Sequence, residues 1–216
     1  MIGSRSGSHP DPSVGRRSLA LLWAIGITVV ESLARRVVRG RSRAWLVAYS
    51  LTGMAAIAAL RREGARGQAR GAAHSPDGRA GSREERKSTG SLALGFTLVA
   101  TGYPIGRRLL GDRPIGAPPD PFWLEALTLA GCVAPAEELS WGAIVEPSLG
   151  RAATSTLFAA KHVVIDGRWR RALGLALFWS GLSLLRRRSC RLALAAHVAA
   201  NATAVAVGHL SGADRF

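Results

Sequence analysis

Residues 133–147 read VAPAEELSWGAIVEP, which places two adjacent carboxylates, Glu137 and Glu138, inside an otherwise apolar run. An ionised carboxylate at the centre of a membrane-spanning helix costs roughly 2.5–3.5 kcal/mol on insertion scales. Such a pair is therefore tolerated only where it faces a polar cavity, a partner or the membrane interface. One interpretation is that the pair caps a helix at the membrane surface. The other is a polar site, which requires further polar residues in neighbouring apolar segments.

The composition of the whole chain is typical of an integral membrane protein. Of its 216 residues 48% are hydrophobic, yet the formal net charge is +15. The two properties coexist because apolar and basic residues occupy separate blocks. We therefore expect a multi-pass protein of the cell membrane that contacts the lipid bilayer. Clustered arginines can bind nucleic acid, but here the clusters lie between apolar segments of spanning length, so we predict no nucleic-acid partner.

Seven apolar segments predict an all-α polytopic membrane bundle of about seven spans, with an active site within the bundle. In chain order they are residues 18–33, 44–60, 91–105, 122–145, 152–165, 172–185 and 192–210. Glu31 lies near the end of the first segment, where a carboxylate can reach the interface. Pro135 is expected to kink the fourth segment directly ahead of the two glutamates. Such breaks are tolerated at membrane depth where the freed backbone groups line a cavity.

The segments between these runs divide the chain into regions. Residues 1–17 read as a disordered tail and residues 211–216 as a second tail. Residues 61–90 are rich in Gly, Arg, Ser and Glu and have no apolar face, which predicts a solvated basic loop. Residues 18–60 then form an N-terminal transmembrane hairpin, and residues 91–210 form the core transmembrane region.

Further polar residues do occur in the apolar segments that follow the glutamates. His162 lies in the fifth segment, and His197 and Asn201 lie four residues apart on one face of the seventh. Together with Glu137 and Glu138 they suit the hydrolysis of an amide bond by either of two routes. In one route a divalent metal ion such as zinc activates the water. In the other a glutamate is the general base while other polar groups stabilise the oxyanion.

These residues resemble the motifs of the CAAX-processing and bacteriocin-processing (CPBP, or ABI) intramembrane proteases, over roughly residues 122–210. The first motif, Glu-Glu-x-x-x-Arg followed by a proline, is matched by Glu137, Glu138, Trp141 and Pro147. The second motif, Phe-x-x-x-His, is matched by Phe158 and His162. The third, His-x-x-x-Asn, is matched by His197 and Asn201, and the three occur in the family's order. The resemblance implies an intramembrane endopeptidase that acts on a peptide or protein substrate at the membrane.

The resemblance also implies a role for each candidate residue. Glu137 would activate water, and Glu138 would support it. His162 would join the base or the metal site. His197 and Asn201 would hold the oxyanion. If a metal is used, its ligands would be Glu137, His162 and His197.

One position departs from the family's pattern. The arginine of the first motif is Gly142 here, so the positive partner of the glutamates is absent from its usual place. The alternative is therefore a catalytically weakened relative that acts as a membrane binding or immunity protein. Lys161, next to His162, could replace the charge or could simply snorkel toward the interface. A small transporter subunit is disfavoured because no inverted repeat is visible.

Overall fold

The computed structural model describes residues 12–71, 89–109 and 120–210, and every regular element in these ranges is helical. The described part of the chain forms seven helices, which confirms the all-helical prediction. They are α1 (Pro12–Val37), α2 (Arg41–Gly71), α3 (Thr89–Leu109), α4 (residues 122–149), α5 (Arg151–Asp166), α6 (Arg171–Arg186) and α7 (Cys190–Leu210).

Two helices extend more than five residues beyond one end of the apolar segments that predicted them. Helix α1 begins at Pro12, within the expected N-terminal tail, and α2 continues through residues 61–71 of the expected loop. Arg, Glu, Ala and Gln form helices well without being apolar, so hydropathy located the buried part of α2 and missed its polar end. The rest of the predicted tails and loop, residues 1–11, 72–88 and 211–216, lie outside the described residues.

Three stretches of the described helices are long and apolar enough to cross a membrane: Val14–Val37, Arg41–Gly64 and Cys190–Leu210. This supports a multi-pass membrane protein, but three candidate spans are fewer than the seven predicted from the sequence. Helices α5 and α6 have 16 residues each. At 1.5 Å per residue each is about 24 Å long, which is less than the ~30 Å thickness of a hydrocarbon core.

The helices carry large apolar side chains on the outside and charged side chains on the inside. Leu22 and Ile25 on α1 and Leu177 on α6 are well exposed, whereas Glu137 and Lys161 are buried. Water-soluble proteins expose few contiguous apolar patches of large side chains. The distribution is the one expected when lipid surrounds the helices and a polar site lies between them.

Contacts between helix termini show that successive helices alternate in direction. The end of α1, the starts of α2 and α4, and the ends of α5 and α7 all lie at one end of the bundle. The pairs there are Arg35 with Asp166, Arg41 with Glu125, Ser42 with Asp120, and His209 with Glu125. At the other end, Arg186 at the end of α6 pairs with Glu146 in the last turns of α4.

Helix α4 carries the two glutamates and is irregular. Its α-helical parts, Phe122–Ala126, Ala134–Glu137 and Glu146–Leu149, alternate with the π-helical parts Leu127–Val133 and Glu138–Val145. Pro135 follows the first π-helical part, where its missing N–H and its ring prevent a regular α-helix. The disruption predicted at this proline thus takes the form of a change in winding, a feature frequent at functional sites.

Aromatic packing supports the glutamates from one side. Trp141, Phe158 and Trp179 are each at most 1% exposed, and they belong to α4, α5 and α6. The rings of Trp141 and Phe158 meet edge to face at 5.6 Å, and those of Phe158 and Trp179 stack at 4.4 Å. Such contacts add to the burial energy of the rings, so α4, α5 and α6, which are three of the helices around the site, are held in a fixed relation.

Candidate functional site

Four of the five site residues predicted from the sequence line one cavity. Glu137 comes from α4, His162 from α5, and His197 and Asn201 from α7. Much of the remaining lining is apolar or aromatic, including Leu129, Val133, Leu175 and Phe178. The structure thus brings the residues together, as their spacing on the helices predicts. Glu138 does not line this cavity.

Glu137 is buried, with 3% of the residue exposed, and both its carboxylate oxygens have partners. Lys161 Nζ donates to Oε1 at 2.6 Å, and the Tyr49 hydroxyl lies 2.9 Å from the same oxygen. His197 Nε2 lies 3.4 Å from Oε2. A buried carboxylate is costly unless it is paired and hydrogen-bonded. The ammonium group of Lys161 meets that need and favours the ionised form of Glu137.

A second buried carboxylate, Glu31 of α1, shares these partners. Trp45 Nε1 donates to Glu31 at 2.9 Å, and the Tyr49 hydroxyl lies 2.7 Å from it. Lys161 Nζ lies 3.4 Å from the same carboxylate and therefore sits between Glu31 and Glu137. The expectation that Glu31 reaches the interface is wrong, because it is 2% exposed and paired inside the bundle. The N-terminal hairpin thus contributes to the site.

Glu138 faces α6 and α7. Arg186 donates to its Oε2 from Nε at 3.1 Å and from Nη2 at 2.7 Å, while its Oε1 lies 3.0 Å from His197 Nδ1. The same guanidinium donates from Nη1 to Glu146 at 2.5 Å. Arg186 therefore bridges two carboxylates of α4. A cation, which the resemblance predicts at position 142, is thus present beside Glu138 but comes from another helix.

His197 connects the two glutamates. Its Nδ1 contacts Glu138 and its Nε2 faces Glu137, so each ring nitrogen has a carboxylate oxygen in front of it. A neutral imidazole has a proton on only one nitrogen. A neutral ring can therefore donate to only one of the two glutamates, and satisfying both contacts needs a second proton on the ring or on a carboxylate.

The amide of Asn201 points at the irregular part of α4. Its Nδ2 donates to the carbonyl oxygen of Leu129 at 2.8 Å. Leu129 lies in the first π-helical part, where widened turns leave carbonyl groups accessible to side chains. The amide uses one of its two N–H groups in this bond, and the second is left for another acceptor.

His162 carries a buried nitrogen that lacks a direct partner. Among the described residues, its Nε2 has no hydrogen-bond partner, and it lies 3.8 Å from Glu137 Oε1. Its ring packs against Phe158, with the ring centroids 4.9 Å apart. A polar separation longer than 3.5 Å is often bridged by a water. Glu137 and His162 are therefore placed to hold a small polar molecule between them.

The metal site that the resemblance implies would use Glu137, His162 and His197 as ligands. The described residues contain no group of three His, Cys, Asp or Glu side chains arranged to hold a metal ion. The Glu137 oxygen that faces His162 is already in contact with the ammonium group of Lys161. A cation beside this oxygen opposes binding of a second cation. The residues do not fit zinc in this arrangement.

Sequence reasoning missed several members of the site. Glu31, Tyr49 and Arg186 lie in segments without a motif. Glu146 lies within the first motif, but the sequence assigns it no role. For Lys161 the sequence leaves open whether it replaces the missing charge or lies at the interface. Comparison with protein-family models, with curated proteins and with solved structures found no match. What the site does must therefore be argued from its own chemistry.

Proposed function

We propose that the protein is a membrane-embedded endopeptidase of the CPBP type, in which Glu137 activates a water molecule for hydrolysis of a peptide bond. The observation that carries the proposal is the pair formed by Glu137 and His162. A carboxylate and an imidazole nitrogen that has no hydrogen-bond partner among the described residues face each other across 3.8 Å in one cavity. General base catalysis requires a base within reach of its proton, directly or through one water.

The reaction would proceed by addition and elimination. Water held between Glu137 and His162 gives a proton to Glu137 while its oxygen bonds to the scissile carbonyl carbon. The electron pair of the carbonyl π bond moves to the oxygen, which becomes an oxyanion. This electron pair then re-forms the carbonyl π bond as the C–N bond breaks, the electron pair of the broken bond stays on nitrogen, and the proton held by Glu137 passes to that nitrogen. The products are a carboxylic acid and an amine, and Glu137 returns to its ionised form.

The neighbouring residues would support these steps. Lys161 stabilises the ionised Glu137 that must accept a proton. The Asn201 N–H that is not used by Leu129 is available to the oxyanion. His197 orients both glutamates through its two ring nitrogens. A fixed set of dipoles in a site with little water stabilises developing charge more strongly than water does.

The proposal includes seven membrane-crossing helices. The alternation of helix directions supports seven crossings, because every second link between helices along the chain lies at the same end of the bundle. Helices α5 and α6 would then cross as short spans. A bilayer adjusts to a short span by local thinning at a modest cost.

The second candidate function is that of a weakened relative that binds a partner in the membrane, for example an immunity protein. It is favoured by the completeness of the ion pairing, since each carboxylate oxygen of Glu137 and Glu138 already has a protein partner. A buried polar network in which every member is satisfied can serve to fix the packing of helices. In that case no water needs to be activated.

Cleavage of a peptide library by the purified protein in lipid nanodiscs separates the two functions. Removing a general base costs about 10²- to 10⁴-fold, so we expect that loss for Glu137→Gln. Glu63→Gln is the matched control, because Glu63 is exposed on the polar end of α2. Cleavage that survives Glu137→Gln would contradict the mechanism. Absence of cleavage by the unaltered protein would favour the weakened relative.

A further inference from the structure

The side chain of Arg186, at the end of helix α6, lies against the backbone of helix α4 at Gly142. A Cβ atom added at position 142 would lie 2.6 Å from Nε of Arg186 and 2.7 Å from its Cζ. Real Cβ atoms essentially never come within 3.0 Å of another heavy atom in this way. The guanidinium group therefore occupies the space that any side chain at position 142 would need.

Arg186 cannot easily give way, although it is a long side chain. Its guanidinium is bonded to Glu138 and Glu146 and lies over the ring of Trp179 at 5.0 Å. Only 12% of the Arg186 side chain is exposed. Its neighbours Arg187 and Arg188, which follow at the end of the same helix, are exposed. An arginine at a helix C-terminus is often no more than a favourable partner of the helix dipole, but that role does not require these three contacts.

The contacts form a chain from Arg186 to Glu137. Arg186 holds Oε2 of Glu138, the other oxygen of Glu138 faces His197 Nδ1, and His197 Nε2 faces Oε2 of Glu137. A planar guanidinium fixes carboxylate geometry better than an ammonium does, because its N–H groups are held in a rigid fork. A displacement of the Glu138 carboxylate would therefore shift the His197 ring, and the shifted ring would displace Glu137.

We propose that Arg186 is the positioning residue of the two glutamates, and that glycine stands at position 142 in order to admit its guanidinium group. The cation that helix α4 lacks in its own sequence is thus supplied by helix α6. This inference deepens the proposed peptidase function and rests on it for its catalytic part. Arg186 acts through Glu138 and His197 and does not itself touch the substrate.

Relocating the cation tests the proposal by a double-mutant cycle. The variants are Arg186→Ala, Gly142→Arg and the double variant, in which the new side chain enters the space that Arg186 has left. A misplacement of about 1 Å can cost about 100-fold in rate. We expect each single variant to lose about that much kcat with little change in KM. The double variant should recover at least 10-fold over Arg186→Ala.

Two matched controls accompany the cycle. Arg187→Ala removes an exposed arginine next to Arg186 and should leave kcat unchanged. Gly131→Ala adds a methyl group to the same helix as Gly142, where its Cβ would meet Leu127 at an ordinary 3.5 Å. Gly142→Ala should lower the Tm well below that of Gly131→Ala, because only its Cβ meets the guanidinium. Equal Tm values for these two alanine variants would overturn the steric argument.

The Tm of the same variants separates this proposal from the peptidase function. The interaction between positions 142 and 186 can be measured as a change in Tm, which needs no enzymatic activity. Recovery of the Tm in the double variant therefore supports the placement of the cation even if no variant cleaves peptides. In that event the peptidase function is contradicted, but the packing of the Arg186 guanidinium against Gly142 is still supported. Cleavage that is unchanged in Arg186→Ala would overturn the positioning role and leave the peptidase function intact.

Discussion

The ammonium group of Lys161 lies 2.6 Å from a carboxylate oxygen of Glu137, and both side chains are buried. Lys161 is also 3.4 Å from Glu31, so one cation serves two carboxylates that come from different helices. Breaking a buried ion pair by removing one partner leaves an uncompensated charge. This lysine therefore links α1, α4 and α5 through charge.

Replacing Lys161 by methionine should destabilise the protein strongly. Removal of one partner of a buried pair costs about 3–5 kcal/mol, and we expect that loss in the free energy of unfolding measured in mixed micelles. Lys161→Met/Glu137→Gln should recover part of the loss, because the second change removes the buried negative charge. Arg187→Met is the exposed control and should stay within about 0.5 kcal/mol of the unaltered protein. A loss below about 1 kcal/mol for Lys161→Met would contradict the buried pair.

Tyr49→Phe tests whether the hydroxyl group joins the two carboxylates. This group lies 2.7 Å from Glu31, 2.9 Å from Glu137 and 2.7 Å from Lys161 Nζ, which donates to it. Its loss leaves buried partners unsatisfied, which costs about 1–3 kcal/mol. Unfolding in mixed micelles measures this loss. The control is Trp169→Phe at an exposed ring, and equal stability of the two variants would show that the hydroxyl is not part of the network.

The sequence was sufficient to predict some parts of this structure and not others. Seven apolar segments correctly gave the order and type of the helices, because hydropathy records which faces avoid water. The four-residue spacing of His197 and Asn201 was enough to place both on one face of a helix. These are local properties of the chain, and local properties can be read from a sequence.

What the sequence could not provide is the identity of partners that are distant along the chain. Glu31 near the end of an apolar run suits the interface as well as a buried pair, and only the position of Lys161 in space decides between them. Arg186 lies 48 residues from Glu138 and directly follows the apolar segment 172–185, where an arginine indicates only the end of a span. The absence of arginine at position 142 suggested a missing charge, because nothing in the local motif indicates that a second helix fills the same space.

Zinc is expected to have no effect on the stability of the protein. Lys161 Nζ contacts the Glu137 oxygen that faces His162, and a metal ion would have to bind beside that charge. A ligand that binds only the folded state raises the Tm with its concentration, so the Tm should not change between zinc and a chelator. A stoichiometric zinc content that disappears in His162→Ala would contradict this expectation and restore the metal route.

Acid should weaken the junction between α2 and α4. Asp120 precedes α4, outside the candidate spans, and accepts the backbone N–H of Ser42 at 3.0 Å. Burial acts to raise the pKa of Asp120, but the Ser42 hydrogen bonds and the charges of Arg41 and Arg43 outweigh it and lower the pKa below its ordinary value of 3.8. A carboxyl group with a lowered pKa in the folded state stabilises the protein above the ordinary value, and this contribution is lost as pH falls below it.

Asp120→Asn separates this contribution from other acid effects. The Tm of the unaltered protein should fall more steeply than that of the variant as pH drops from about 5 to about 2, because the variant has no carboxylate at position 120 to protonate while the other carboxylates titrate in both proteins. Above about pH 5 the variant should have the lower Tm by a constant amount. Parallel curves over the acid range would show that the Ser42 contact does not depend on the charge of Asp120.

The final prediction concerns how often the chain crosses the membrane. The native cysteines Cys132 and Cys190 would first be replaced by alanine. Single cysteines would then be placed in the links between helices, at positions 39, 151, 170 and 187. If all seven helices cross, an impermeant maleimide should label positions 39 and 170 from one side of sealed vesicles, and positions 151 and 187 from the other. The reason is the pairing of Arg35 with Asp166 at one end of the bundle and of Arg186 with Glu146 at the opposite end.

The two short helices α5 and α6 decide the outcome of this labelling. Each is about 24 Å long, which is shorter than the hydrocarbon core, so these two helices are the least suited to cross it. Position 170 lies in the link between them. If α5 and α6 do not cross, position 170 should be labelled from the same side as positions 151 and 187. Such a result would leave the polar site near one surface of the membrane, where water could reach Glu137 without a cavity.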